Sequence, residues 1–211
     1  MNIDGNNLAQ RVKDIKQSFR LIMDGATAQS MRQKGVEYKL NWGASVQMLR
    51  QQASEIGMDY DLAIALWKED VRECKILATM LMPPERMLPE VADIWMEQIQ
   101  TVEIAEQSAF NVFQYLPCAA EKAFQWIALS ENLPQICGYH VLSRLFARKQ
   151  EPNERGINEF LDQALTALDS SNISVRKAAM QCINHFSMLG LVYERIARSA
   201  LRSKGFDLLL L

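Results

Sequence analysis

Asp61-Leu-Ala-Ile-Ala-Leu-Trp-Lys-Glu-Asp-Val-Arg-Glu-Cys-Lys-Ile-Leu-Ala-Thr-Met-Leu81 reads as two short helices joined at Lys68-Glu69-Asp70. Leu62, Ala65 and Leu66 line one face of the first; Val71, Cys74, Leu77, Ala78 and Leu81 line one face of the second. These spacings of three, four and seven residues meet on one side of a helix. Helices this short cannot bury their apolar stripes alone, so the pair predicts a stack of similar pairs.

Outward from this pair the chain repeats the pattern. Toward the N-terminus, Leu8, Val12, Ile15, Phe19 and Ile22 share one face of a helix over residues 6–23, which Gly25 is expected to end. A short helix is predicted from Thr27 or Ala28 to Gly35. Glu37-Tyr-Lys-Leu-Asn-Trp-Gly43 reads as loop, and Ser45 caps a helix that runs from Val46 to Ile56 and ends at Gly57. Beyond Leu81, Pro83-Pro84 breaks the chain, and Pro89 opens a helix carrying Val91, Ile94, Trp95 and Ile99. Further helices are predicted from Val102 to Tyr115, Ala119 to Leu129, Leu133 to Lys149, through the stripe Ile157 to Leu168, from Ile173 to Leu189 and from Leu191 to Arg202. No segment alternates with a period of two, so the fold class is all-α.

Val71-Arg72, Ile104-Ala105, Ile136-Cys137 and Val175-Arg176 each begin the apolar part of a second helix, at intervals of 33, 32 and 39 residues. Those intervals suit a helical solenoid; an irregular bundle is the plainer alternative. Asp70-Val-Arg72 and Ile173-Ser-Val-Arg-Lys-Ala-Ala179 resemble the Asp/Asn-x-x-Val-Arg-x-x-Ala signature of HEAT repeats. The resemblance implies an all-α, HEAT/ARM-like solenoid over residues 1–211, a single domain whose second helices line a concave face. It also implies that the motif arginine reaches an acidic group in the adjacent repeat.

Composition narrows the function classes. The 211 residues are 49% hydrophobic and 23% charged, as in a globular protein. No apolar run nears the roughly 20 residues of a membrane span, and the start Met1-Asn-Ile-Asp-Gly-Asn6 has no signal-peptide pattern. A cytoplasmic location without membrane contact is therefore expected. Cys74, Cys118, Cys137 and Cys182 are widely spaced in apolar helical patterns, which predicts buried reduced thiols rather than a metal site. No cofactor motif is present, since Gly43, Gly57 and Gly138 stand alone. The net charge of −2 argues against general affinity for phosphates, although a local basic face could still hold them.

Candidate site residues are few. His140 and His185 read as surface or packing histidines, and Trp67 and Trp126 as core. Tyr38 and Trp42, in the loop, are the aromatic candidates for a groove. Glu103 and Glu106 open a helix, where carboxylates favour the positive end of its dipole; Glu106 could instead stabilise a developing positive charge. Arg144, Arg148, Lys149, Arg176 and Lys177 form a late basic run, either a solvated face or a phosphate-contacting strip. Arg195, Arg198 and Arg202 share a further face, and the apolar tail Gly205-Phe-Asp-Leu-Leu-Leu-Leu211 is expected to dock on the last helices or on a partner.

Asn41-Trp-Gly-Ala-Ser-Val-Gln-Met-Leu-Arg50, Asp61-Leu-Ala-Ile-Ala-Leu-Trp67 and Arg72-Glu-Cys-Lys-Ile-Leu-Ala78 resemble segments of the AlkD-like DNA alkylation repair enzymes, over roughly residues 30–190. The resemblance implies duplex DNA as partner and excision of N3- or N7-alkylated purines. Such a purine is already a cationic leaving group; what it needs is a carboxylate beside the sugar and aromatic rings against it. The family's catalytic segment matches Val102-Glu-Ile-Ala-Glu106, which places the catalytic carboxylate at Glu106 and Val102 where the family has tryptophan. The family's arginine falls near Gly138 or Cys137, and its late tryptophan near Gln181. DNA binding with weak or lost glycosylase activity is therefore expected. The alternative is a non-catalytic scaffold that takes a protein or peptide in its groove.

Overall fold

Why the chain breaks into pairs is visible at its caps. The computed structural model describes residues 3–36 and 38–206, and these form α-helices joined by short turns, with no strand among the described residues. Asp24 caps α2 by accepting from Thr27 N–H, Ser45 caps α3 from Met48 N–H, and Asp59 caps α4 from Leu62 N–H. Later, Thr101, Asn153 and Asn172 do the same for α7, α10 and α11. Each supplies an acceptor to donors that the first turn leaves unpaired.

The chain divides into two compact units, Met1–Leu88 and Pro89–Leu211. The first holds α1 (Ile3–Ser18), α2 (Gly25–Gln33), α3 (Val46–Ile56), α4 (Tyr60–Trp67) and α5 (Arg72–Leu81). The second holds α6 (Pro89–Glu97), α7 (Val102–Asn111), α8 (Ala119–Ile127), α9 (Asn132–Ala147), α10 (Glu154–Ala167), α11 (Ile173–Ser187) and α12 (Leu191–Ser203).

In the first unit α4 packs on α5, α3 on α5 and α1 on α4. Helix α5 is buried on nearly every side, including Arg72, Glu73 and Thr79. Arg72 is the arginine of the HEAT-like segment Asp70-Val-Arg72. Its guanidinium donates to its neighbour Glu73 (3.0 Å) and to the Ala44 carbonyl (2.8 Å), while Glu73 accepts from the backbone N–H groups of Trp42 and Ala44. This buried pair fastens the loop before α3 to the start of α5. Leu40 and Val71 add one isolated bridge there. Gly43 sits at φ 73°, with the space of a Cβ already filled by the Asp24 carbonyl oxygen, so only glycine fits the crossing.

In the second unit the second helices run side by side. Helix α9 packs on α7 and on α11, α11 packs on α12, and the first helices α8 and α10 lie against α9 and α11 respectively. Gly138 lets α8 and α9 approach closely, since a Cβ there would meet Ile127 Cγ2 at 2.7 Å and the Ala123 carbonyl at 2.8 Å. The ring cluster Phe146, Phe160, Phe186 and Tyr193 fills the space among α9, α10, α11 and α12.

Several expectations change. Gly25 does not end α1; it is the first residue of α2, because Asp24 supplies the cap. In α4 the buried face is Leu62, Ala63, Leu66 and Trp67, with Ala65 at its edge. In α6 the start at Pro89 turns Ala92, Trp95 and Met96 inward, with Ile99 buried just beyond the helix, and leaves Ile94 half exposed. The proposed docking of the tail falls on residues 207–211, outside the described residues.

All four cysteines are free. Burial pushes the Cys74 thiol up to about 12 and raises Cys137 and Cys182 well above the ordinary range, so these thiols stay protonated and unreactive. No helix among the described residues is long and apolar enough to cross a membrane.

Candidate functional site

Three adjacent helices of the second unit each present a pair of polar or aromatic residues four apart: Glu106 and Phe110 on α7, His140 and Arg144 on α9, Gln181 and His185 on α11. Residues four apart share a helix face, and the contacts show that the pairs on α7 and α9 meet. Glu106 Oε1 lies 3.6 Å from His140 Nε2, with the carboxylate side chain 40% exposed and the imidazole 9%. The Phe110 ring meets the His140 ring edge-on at 5.2 Å, and the Arg144 guanidinium stands 5.9 Å from the Phe110 centroid. On the other flank of α9, Ser143 Oγ lies 2.7 Å from His185 Nδ1, which also faces the Gln181 carbonyl at 3.1 Å. Ser143 is only 2% exposed, so its hydroxyl joins α9 to α11 and is closed to a substrate.

Of the basic candidates, Arg144 belongs to this cluster. Lys177 is exposed one turn before Gln181 on α11. The other three are turned to backbone carbonyls. Arg148 donates to Gln114 Oε1 and to the Gln114 carbonyl, both at 2.6 Å, and stands 5.0 Å from the Tyr115 centroid. Lys149, in the left-handed region at φ 62°, donates from Nζ to the Met188 carbonyl. Arg176 donates to the Ser170 carbonyl in its own preceding turn.

Tyr38 and Trp42 lie in the first unit. Trp42 is half-buried, its backbone N–H donating to Glu73 and its carbonyl accepting from Asp24 N–H, with the Arg20 guanidinium 5.9 Å from its ring. Tyr38 is likewise half-buried.

The residue facing Glu106 from α9 is His140, whereas Gly138 points at α8. Sequence reasoning missed His140 and Phe110 as site residues. The available signal was the four-residue spacing from Glu106 to Phe110 and from His140 to Arg144. Among the described residues no three His, Cys, Asp or Glu side chains gather to hold a metal ion.

Paired helices with a partly open carboxylate on their second-helix layer define a helical-repeat protein of the HEAT-like kind. The model of the family described as DNA alkylation repair enzyme matches residues 15–187, and the chain belongs to that family. Among solved structures it matches one described as "A new family of proteins related to the HEAT-like repeat DNA glycosylases with affinity for branched DNA structures". The TM-score is 0.80 at 16% identity, over 90% of this chain and 81% of that one, a likeness of fold. No curated protein matches.

Proposed function

We propose that this chain binds duplex DNA on the α7–α9–α11 face of its second unit and excises alkylpurines only weakly. The observation that carries the reading is the Glu106–His140 contact with Phe110 and Arg144 beside it. DNA as partner is supported by family membership and by the affinity for branched DNA stated for the structural relative.

A cationic N3- or N7-alkylated purine leaves readily once the oxocarbenium-like sugar is stabilised. Glu106 offers a half-open carboxylate for that purpose. Two features weaken it. His140 competes for the carboxylate, and Phe110, the aromatic one turn along, already has His140 at its ring and Arg144 beside it, so it is not free to lie against a sugar. Arg144 and Lys177, the cations of this face not directed to a carbonyl, contact phosphates.

The test measures mobility shifts of the full chain with duplex and with branched DNA at low salt, beside release of 7-methylguanine from alkylated duplex. Binding to duplex is expected, weakened about tenfold by Arg144→Ala with Lys177→Ala. Residual base release is expected to vanish in Glu106→Gln. Salt-independent binding, or none, would overturn the reading in favour of a scaffold for protein or peptide.

A further inference from the structure

On the first-helix side of the second unit, an open groove of about 920 Å³ runs between α6, the end of α8 and the start of α9. Its floor is apolar: Met96 and Trp126 are core residues that reach it, and Leu129, half exposed, forms one wall. Its rim is acidic, with Asp93, Glu97 and Glu131 contributing carboxylates. Lys122, the one cation in the sequence of residues 89–143, is itself nearly buried and held by Asp93 at 2.6 Å, so three carboxylates against it leave an excess of negative charge at the mouth. Glu131 occupies the N-cap of α9, but its carboxylate is not held by a capping hydrogen bond.

The sign of this rim fits the sequence around it. Residues 89–143 contain one lysine, no arginine and seven Asp or Glu, whereas residues 144–206 contain ten Lys or Arg against six Asp or Glu. Phosphates are repelled from such a mouth, which separates the groove from any nucleic-acid face. An apolar cleft of this volume is large enough to take several side chains, and carboxylates around it complement cations flanking an apolar anchor.

We propose that this groove docks a cationic, amphipathic peptide segment of a protein partner, its bulky apolar side chains on Met96, Trp126 and Leu129 and its Lys or Arg side chains against Asp93, Glu97 and Glu131. The inference does not rest on DNA binding.

The experiment titrates the full-length protein against two fluorescein-labelled peptides, one built of Lys-Leu-Leu-Lys blocks and one of Glu-Leu-Leu-Glu blocks, by fluorescence anisotropy. The cationic peptide is expected to bind and the anionic one to fail, with the apolar positions held constant. Glu97→Lys with Glu131→Lys is expected to weaken the cationic peptide about tenfold or more. A matched reversal on exposed positions of α10, Glu159→Lys with Asp162→Lys, is expected to leave it unchanged. Helical circular dichroism of both variants confirms that they fold. Equal weakening by the two reversals would show diffuse attraction and overturn the proposal, as would absence of binding or equal binding of both peptides.

Discussion

At the scale of single residues, two glycines with positive φ separate strain from collision. Gly43 at φ 73° and Gly57 at φ 79° both have a positive φ that favours glycine, but an added Cβ at Gly43 would lie 2.1 Å from the Asp24 carbonyl oxygen, whereas Gly57 has nothing within 4 Å. Gly57→Ala is expected to destabilise by about 1–3 kcal/mol, from backbone strain alone. Gly43→Ala adds a backbone clash and is expected to destabilise by about 2–4 kcal/mol. Thermal melts check this: comparable losses in the two variants would mean that the Asp24–Gly43 crossing yields easily. A second residue-level expectation concerns pH. Burial raises the Asp59 carboxyl, but hydrogen bonding from Leu62 N–H and pairing with Arg11 at 2.7 Å outweigh it, so the net direction is down from 3.8. A carboxyl lowered on folding stabilises the protein above its unfolded value and stops doing so as pH falls through the folded one. Asp59→Asn keeps a capping acceptor while removing the charge. Its deficit relative to the parent is expected to be about 0.2–1 kcal/mol near neutral pH, since the pair is partly exposed, and to fade as pH falls from 3.8 through the lower folded value. A deficit constant across that range would remove the charge from the explanation.

At the scale of helices, the paired pattern was legible because it depends on periodicity and caps, which are local. Ser45, Gly57 and Pro89 punctuate the chain where the sequence places them. Gly25 opens α2 rather than ending α1, because a glycine beside a capping residue such as Asp24 reads equally well as the end of one helix or the start of the next. The site was legible only in part. Glu106 stands on an open strip, but its partner His140 lies on another helix, and only the tertiary register between α7 and α9 brings them together. The same register explains the basic run, in which Arg148 and Lys149 look alike in sequence to Arg144. They end α9, however, where Arg148 ties down the turn after α7 through Gln114 and Lys149 reaches the end of α11. Arg148→Ala leaves the nearly buried Gln114 without those donors and is expected to destabilise by about 1–3 kcal/mol. Arg144→Ala, on an exposed turn, is expected to change stability by less than about 0.5 kcal/mol while weakening DNA binding. Paired melts and mobility shifts of the two variants decide the matter. If Arg148→Ala melts like the parent but loses DNA, the division between fastening and contacting arginines is wrong.

At the scale of the whole chain, charge sets the limit on DNA affinity. The molecule carries 23 Lys and Arg against 25 Asp and Glu, so no broad positive field draws a polyanion to it. By sequence the first unit holds twelve cations against eleven acids and the second eleven against fourteen. Attraction to phosphate must come from a small patch, and in the second unit the cations available for it are concentrated after residue 143. Most of the five cations in the basic run are engaged with carbonyls, which leaves Arg144 and Lys177 for phosphates. Each phosphate neutralised on duplex DNA contributes about −0.9 to the slope of log affinity against log salt. Two contacts therefore predict a slope near −2, far shallower than that of a strongly basic DNA-binding protein. Affinity for one duplex, measured between about 50 and 200 mM salt, is expected to fall by roughly tenfold to twentyfold. Arg144→Ala and Lys177→Ala should each flatten the slope by about 0.9, and the double variant should bring it close to zero. A parent slope of about −6 or steeper would require many more phosphate contacts than this face provides. In that case the DNA would have to lie on a different and larger surface.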